Sequence, residues 1–441
     1  MIFDILTAIL SIAMIAYMLR HLIFTYSALF GKPQQRAFER IRGAYIPKVT
    51  VLIPAHNEES VVANILERMT ELTYPKDSLE VILIDDRSTD KTGEIADSYA
   101  AKYRYIKVLH RVSGGSGKPA ALNDGIKFSK GEIVLTFDAD YYPQKDIVEK
   151  LVAPFTDPEV GAVQGRVTVL NEEDSIVSKI VTLERIGGYR IDQLARDELV
   201  MFPQYGGTVG GFRKEILEKV GGWDPNMLTE DTDLTVRCIL QGYQIRYVND
   251  AEAYEEAVTT WRAYWGQRYR WAKGHMQCAI KHLGDVLKAT HLSKYERTEL
   301  TLLLCVYFLP VIVLLGWIVG VCAYLFEEKS LIPNLFLILS IFTYSAVGNF
   351  APFFEIGAAA YLDNRKHLLW LLPCLMLAFV VMMLCCTKAL IDLARGEKEP
   401  EWNHTLHNGN GYNGKNSRNG KNGKNGHGNN NLNGNGGRSM P

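Results

Sequence analysis

Three short clusters in the middle of a 441-residue chain bring together residue types that can do chemistry: Asp138-Ala139-Asp140, Thr229-Glu230-Asp231 and Gln267-Arg268-Tyr269-Arg270-Trp271. Asp138 and Asp140 close an apolar run at 132–137, and strand alternation sends both carboxylates to one side. Two hard oxygen donors there can hold Mg2+ or Mn2+ while a substrate diphosphate completes the shell. Asp231, beside Glu230, opens a helical run toward Leu240 and is a candidate base, with helix capping as its plainer role. Gln267, Arg270 and Trp271 set polar and aromatic groups on an amphipathic segment. The set suits a metal-diphosphate site with a base beside it.

These residues need a scaffold. Residues 49–54, 81–84 and 132–137 are short β-rich runs without polar alternation, the pattern of parallel strands buried on both faces. Helical stretches near 58–72, 91–103 and 120–128 lie between or beside them and complete a β-α-β order. In such sheets the ligand crevice lies outside the carboxyl ends of the strands, where Pro54, Asn57-Glu58 and Asp85-Asp86 fall. Helix capping accounts for Ser88, Thr89 and Asp90, and the first-turn dipole for Glu58 and Glu59. It leaves Asp85 and Asp86, which repel unless a positive or hydrogen-bonding group stands between them. The glycine-rich run before Lys118 is not a phosphate loop, because Val112 and Pro119 replace its first glycine and its Ser/Thr. It does deliver Lys118 to a helix start, where an ammonium can neutralise an anion.

Composition bounds the rest. A content of 47% apolar residues with net charge −1 fits a chain part soluble and part embedded, and argues against a nucleic-acid binder. The 7 cysteines form no C-x-x-C pair and mostly sit in apolar runs, so disulfides and thiolate metal sites are not expected. Residues 2–19 carry only Asp4 as a charge and make about 27 Å of helix, enough to span. A cleaved signal would need a basic start and a small-residue cleavage site. Lys32, Arg36, Arg40, Arg42 and Lys48 follow, which places the next domain in the cytoplasm. Trp261, Tyr264, Trp265, Arg268, Ala272, Met276, Ala279, Ile280 and Leu283 recur at helical steps, and Arg262, Arg268, Arg270 and Lys273 argue for a helix along the inner membrane surface rather than in a core.

Three apolar blocks, 300–326, 331–362 and 368–393, are each long enough to cross. Glu327-Glu328 reads as an outside loop and Arg365-Lys366-His367 as an inside one. Three crossings would put Lys388, Arg395 and Lys398 outside, against the charge rule. The middle block, broken by Gly348-Asn349, Pro352 and Glu355, can instead fold as two shorter or re-entrant pieces, returning the tail to the cytoplasm. From residue 407 the chain is mostly Asn, Gly and Lys and is expected to be disordered. The expected organisation is a membrane helix (1–31), a catalytic domain (45–258), interfacial helices (259–299), a membrane region (300–394) and a tail (395–441).

The order of the motifs resembles the family 2 glycosyltransferases: Val-Leu-Ile-Pro-Ala-His-Asn-Glu (51–58), Asp-Asp-Arg-Ser-Thr-Asp (85–90), Gly-Lys-Pro-Ala-Ala-Leu-Asn-Asp-Gly (117–125) and the three clusters above. Over residues 45–400 it is similar to their membrane-embedded processive branch, the poly-N-acetylglucosamine, hyaluronan, chitin-oligosaccharide and cellulose synthases. The resemblance implies an α/β GT-A-type nucleotide-sugar domain inserted between α-helical transmembrane segments. It implies that Pro54, Glu58 and Asp86 line the nucleoside pocket with Lys118 nearby, that Asp138 and Asp140 meet a metal-bound diphosphate, and that Asp231, with Glu230, is the base. Gln267, Arg270 and Trp271 would match Gln-x-x-Arg-Trp, the arginine near the diphosphate and the indole at the acceptor. Gln164-Gly165-Arg166 and residues 206–213 look like further acceptor-side segments, and Trp402 and Thr405 like a W-x-x-T element.

The implied reaction moves GlcNAc or glucose from a UDP-sugar to a growing β-linked polysaccharide at the cell membrane. Single transfer to a lipid carrier is the alternative enzyme, and a silent nucleotide-sugar-binding scaffold the alternative class. The chemistry agrees: a divalent ion, Arg270 and Lys118 stabilise the leaving diphosphate while a base acts on the opposite face, inverting the anomeric carbon. An aspartate of ordinary pKa, about 3.9, helps only within the transition state, by roughly 10² to 10⁴ in rate.

Overall fold

The computed structural model describes residues 2–31, 36–115, 117–326 and 350–396. Its centre is an eight-stranded mixed sheet: β1 (Val49–Ala55), β2 (Leu79–Asp86), β3 (Ile106–Arg111), β4 (Ile133–Thr136), β5 (Tyr142–Pro143), β6 (Val160–Val169), β7 (Gly210–Arg213) and β8 (Gln244–Glu255), in the order β3-β2-β1-β4-β7-β6-β8-β5. Strands β3, β2, β1 and β4 run parallel. Every residue of β2 and β4 is buried, which is why those runs are apolar without alternation. The edge strand β3 is half exposed and carries Lys107 and His110, so it shows no apolar run and escapes a pattern search. Helices Val62–Glu71, Thr92–Lys102 and Lys118–Phe128 stand near the expected stretches.

The sheet reverses direction where β7 pairs antiparallel to β4, with Gly210 opposite Thr136. That reversal brings the 204–208 segment beside the residues that follow β4. Strand alternation does not explain the orientation of Asp138 and Asp140, because β4 ends at Thr136 and both lie in the turn beyond it. The backbone N–H of Asp138 donates to Thr208 Oγ1 at 3.0 Å, so the neighbouring loop positions the turn.

Among the described residues three helices are long and apolar enough to cross a membrane: Ile9–Phe30, Lys294–Val319 and Lys366–Ala394. The middle block is described only as the shorter apolar helix Phe350–Leu362. Residues 331–349, Glu327-Glu328, Lys398, Trp402, Thr405 and the tail lie outside the described residues. The N-terminal helix is tied to the rest by buried charge. Arg20 donates to Glu299 at 3.0 Å and to Asp192 at 2.8 Å, and His21 meets Glu355 at 2.6 Å. Such groups are tolerated in an apolar helix when paired inward.

Helix Trp261–Lys288 packs on both the catalytic domain and helix Leu375–Ala394. Its basic residues do not all face out as expected: Arg268 and Lys273 are buried. Arg268 is paired with Glu184 and lies 4.7 Å from the Tyr264 ring centroid, which offsets the cost of removing it from water. Ile280 and Leu287 instead form the helix's exposed apolar positions.

Candidate active site

A cavity of about 410 Å³ opens at the carboxyl ends of β1, β2 and β4. Pro54, Glu58, Asp86, Lys118, Asp138, Asp140, Glu230, Asp231, Gln267, Arg270 and Trp271 all line it. Chain segments as far apart as Pro54 and Trp271 therefore meet at one place.

At one end, the adjacent carboxylates Asp85 and Asp86 are separated by positive or polar partners from β3. Asp86 accepts from Arg111 at 2.5 Å and from Arg87 at 3.0 Å, while His110 Nδ1 lies 2.9 Å from Asp85. Arg87 and Asn57 take left-handed backbone conformations, with φ of 59° and 55°. Asn57 Oδ1 accepts from Thr89 N at 2.8 Å, locking the two strand-end loops together.

In the middle, Lys118 begins its helix and its ammonium lies 2.5 Å from Asp138. Burial alone would lower this ammonium's pKa, but Asp138, Glu230 and Asp231 around it hold it above the usual value. Asp140 is pushed well above the usual carboxylate range by burial and by the charges of Asp138 and Glu255. A carboxylate held in that state gains from a cation, and Asp138 and Asp140 supply the hard oxygens that Mg2+ or Mn2+ prefers. Among the described residues the cluster of three ligand-type side chains with atoms within 4.8 Å lies elsewhere, at Glu172, Glu173 and His367. Two protein carboxylates fit a cation whose remaining ligands come from a diphosphate.

At the other end, Glu230 and Asp231 open helix Glu230–Leu240. Asp231 does not cap it, since its Oδ1 accepts from the N–H of the next residue, Thr232, at 2.7 Å. Burial raises the Asp231 pKa, against the pull of the Thr232 N–H and Lys118. Burial and the Asp231 charge push Glu230 up to about 7. The ordinary pKa assumed from residue type is thus corrected upward, and carboxylates held up in this way bind a proton more strongly than an exposed aspartate. Gly207, at φ +82°, brings its backbone between Asp231 and Lys118: a Cβ there would stand 3.4 Å from the one and 3.6 Å from the other.

Arg270 has no hydrogen bond or ion pair among the described residues, and burial lowers its pKa with only Glu230 opposing. An unpaired guanidinium in a cavity is ready for an anion. The Trp271 indole is already engaged, with the Arg268 and Arg185 guanidiniums 4.3 and 5.0 Å from its ring centroid. Gln164 and Arg166 do not line the cavity. Gln164 is a buried clamp, its Nε2 donating to Thr208 O at 3.1 Å and its Oε1 accepting from Gly206 N at 2.7 Å. Arg166 pairs with Glu252 at 3.0 Å and with Asp363, so its role is to join β6 to β8 and to the chain after helix Phe350–Leu362.

Motif reading misses Arg185, Glu255, His275 and Tyr307, which also line the cavity. Arg185 grips Glu255 through two donors, at 2.5 and 3.0 Å, and Tyr141 donates to the same carboxylate at 2.7 Å. The adjacent acids Glu255-Glu256 at a strand end were the available signal. His275 and Tyr307 carry none.

A profile described as "Glycosyltransferase like family 2" matches residues 47–274. The chain belongs to this family. A probable glycosyltransferase, YdaM of Bacillus subtilis, is 39% identical over 55% of this chain and 59% of its own length. A beta-monoglucosyldiacylglycerol synthase of Nostoc sp. is 33% identical over 65% of this chain and 61% of its own. The alignments thus span about three fifths of these two relatives. A similar fold is seen in a Pyrobaculum calidifontis mannosyltransferase solved with GDP-Man and Mn2+, at TM-score 0.57, 22% identity and coverage of 81% of this chain and 98% of that one. The sheet is thus a GT-A-like domain flanked by the candidate membrane helices.

Proposed function

We propose that the chain is a membrane-embedded, metal-dependent, inverting glycosyltransferase that moves a hexose, GlcNAc or glucose, from a UDP-sugar to an acceptor hydroxyl. The observation that carries this reading is the single cavity joining Asp138 and Asp140, Lys118 and Arg270, and the half-buried Glu230–Asp231 pair. Pro54, Glu58 and Asp86 bind the nucleoside. Asp138 and Asp140 would hold Mg2+ or Mn2+, which when bound neutralises charge on the leaving diphosphate. Arg270 and Lys118 add positive charge on that leaving group, and Asp231 takes the acceptor proton on the opposite side of the transferred sugar. Glu230 keeps negative charge beside Asp231 and sustains its basicity.

The chain crosses the membrane several times, with the GT-A domain (45–258) in the cytoplasm and helices 259–299 leading into the membrane region 300–394. The acceptor enters from that side, because Trp271 and Tyr307 line the same cavity and Tyr307 belongs to the candidate span Lys294–Val319. Extension of a β-linked polysaccharide is the first reading, supported by the Gln-Arg-Tyr-Arg-Trp run at the cavity. Transfer to a membrane lipid is the second, favoured by the names of the Nostoc and Trichormus variabilis relatives, the latter aligning over 88% of this chain at 29% identity.

Incubating purified protein in nanodiscs with radiolabelled UDP-sugars and sizing the product separates polymer, glycolipid and no transfer. Asp231→Asn keeps the size of the side chain and should bind UDP-sugar normally while transfer falls at least about a hundredfold. Loss of donor affinity in step with rate would make Asp231 structural.

A further inference from the structure

Two side chains at the acceptor end have polar tips that no hydrogen bond among the described residues satisfies. The His275 and Tyr307 rings are stacked, centroids 4.4 Å apart and planes 11° from parallel, and both line the cavity. His275 Nδ1 lies 3.3 Å from Thr232 Oγ1, next to Asp231, whereas its Nε2 has no hydrogen-bond partner among the described residues. The Tyr307 hydroxyl likewise has none. Both side chains are half-buried and face the cavity, so their free tips are available to a ligand hydroxyl.

We propose that the stacked His275–Tyr307 pair is the acceptor-sugar subsite, with His275 Nε2 and the Tyr307 hydroxyl as its hydrogen-bonding tips and Asp231 beside it taking the proton. This rests on the glycosyltransferase reading above and names the groups that select a sugar on the acceptor side.

Thr232 connects this subsite to the base. Its Oγ1 accepts from Gln204 Nε2 at 2.6 Å, and its own single proton can go to His275 Nδ1 or to Asp231 Oδ1, 3.4 Å away. When it goes to His275, Nε2 carries the ring proton and donates to an acceptor oxygen. Burial pushes His275 down to about 4, so the ring is neutral at physiological pH and adds no charge next to the base. The stack also explains why the platform need not be Trp271, whose ring is shared with two guanidiniums. Tyr307 belongs to the candidate membrane span Lys294–Val319, so the proposed subsite faces a sugar presented from the lipid side.

The test uses the full chain in nanodiscs with Mn2+, UDP-glucose or UDP-GlcNAc, and octyl β-glucoside as titrated acceptor, reading UDP release, acceptor KM, kcat and UDP Kd. An asparagine side chain reaches the Nδ1 position and a glutamine the Nε2 position. His275→Asn should therefore raise acceptor KM about tenfold with UDP Kd unchanged, and His275→Gln should restore most of it. Tyr307→Phe, which keeps the stack, should raise acceptor KM less than Tyr307→Leu, which removes it. The reverse histidine pattern, rescue by asparagine and not by glutamine, means that the ring only holds Thr232 and overturns the proposal. So does a loss of UDP affinity parallel to the KM effect. A parent protein whose UDP release is indifferent to the glucoside removes both this inference and the acceptor reading, whereas an active parent with indifferent variants removes this inference alone.

Discussion

Lys118→Met removes the ammonium that sits among Asp138, Glu230 and Asp231, and its effect should be read in a pH profile. Asp231 Oδ2 and Lys118 Nζ lie 3.4 and 3.6 Å from one point above Gly207, so they are at most about 7 Å apart. At an effective dielectric of about 20, two unit charges at that separation interact by about 2 kcal/mol, equivalent to between one and two pH units. Lys118 lowers the pKa of both Asp231 and Glu230, so its loss lets both rise. The parent enzyme should lose rate as the pH falls through the range where the pair takes up a proton, with the Glu230 carboxyl pushed up to about 7. In Lys118→Met that acidic limb should move to higher pH by about one to two units, and Lys118→Arg, which keeps the charge, should leave it in place. The assay is the acceptor kcat/KM from pH 5 to 9 at saturating donor and Mn2+. A lowered plateau with an unmoved limb would refute the electrostatic argument and leave Lys118 as a donor-binding group only.

Asp140→Asn should abolish Mn2+ binding in calorimetry and raise the Tm of the metal-free protein by about 2 °C, because burial and the charges of Asp138 and Glu255 disfavour the native carboxylate. Glu230 has a folded pKa of about 7 against an ordinary 4.5, so the stability it contributes is fully present below 4.5 and lost as pH rises through 7. Metal-free protein should melt higher at pH 6 than at pH 8, and Glu230→Gln should flatten that difference. Arg185→Met leaves Glu255 buried without its two-donor partner and should cost about 3–5 kcal/mol, seen as a lower unfolding midpoint in denaturant; an unchanged midpoint would show that Tyr141 alone satisfies the carboxylate.

Residue type and local pattern carry the outline of this protein. The runs of β1, β2 and β4 are readable because strands buried on both faces must be continuously apolar, and the acids that follow them fall at the crevice by topology. The N-terminal helix is readable as a candidate span because a membrane demands about 30 Å of apolar helix. β3 is not readable, since an edge strand shares its surface with water, yet it supplies Arg111 and His110 to the acids of β2.

Charge is where local reading fails. Arg268 and Lys273 have the composition of a solvated face and are buried, and Gln164 looks like a ligand contact and is a loop clamp. The sequence by itself determines which groups can bind a cation, a diphosphate or a proton, because those capacities belong to the side chains. Only the tertiary structure decides their state: Glu184 meets Arg268 across 84 positions and Glu255 meets Arg185 across 70, while Arg270 has no hydrogen bond or ion pair among the described residues. Pairing and desolvation are long-range properties of the packed chain, and they raise the Asp231 pKa and keep His275 a neutral ring near it.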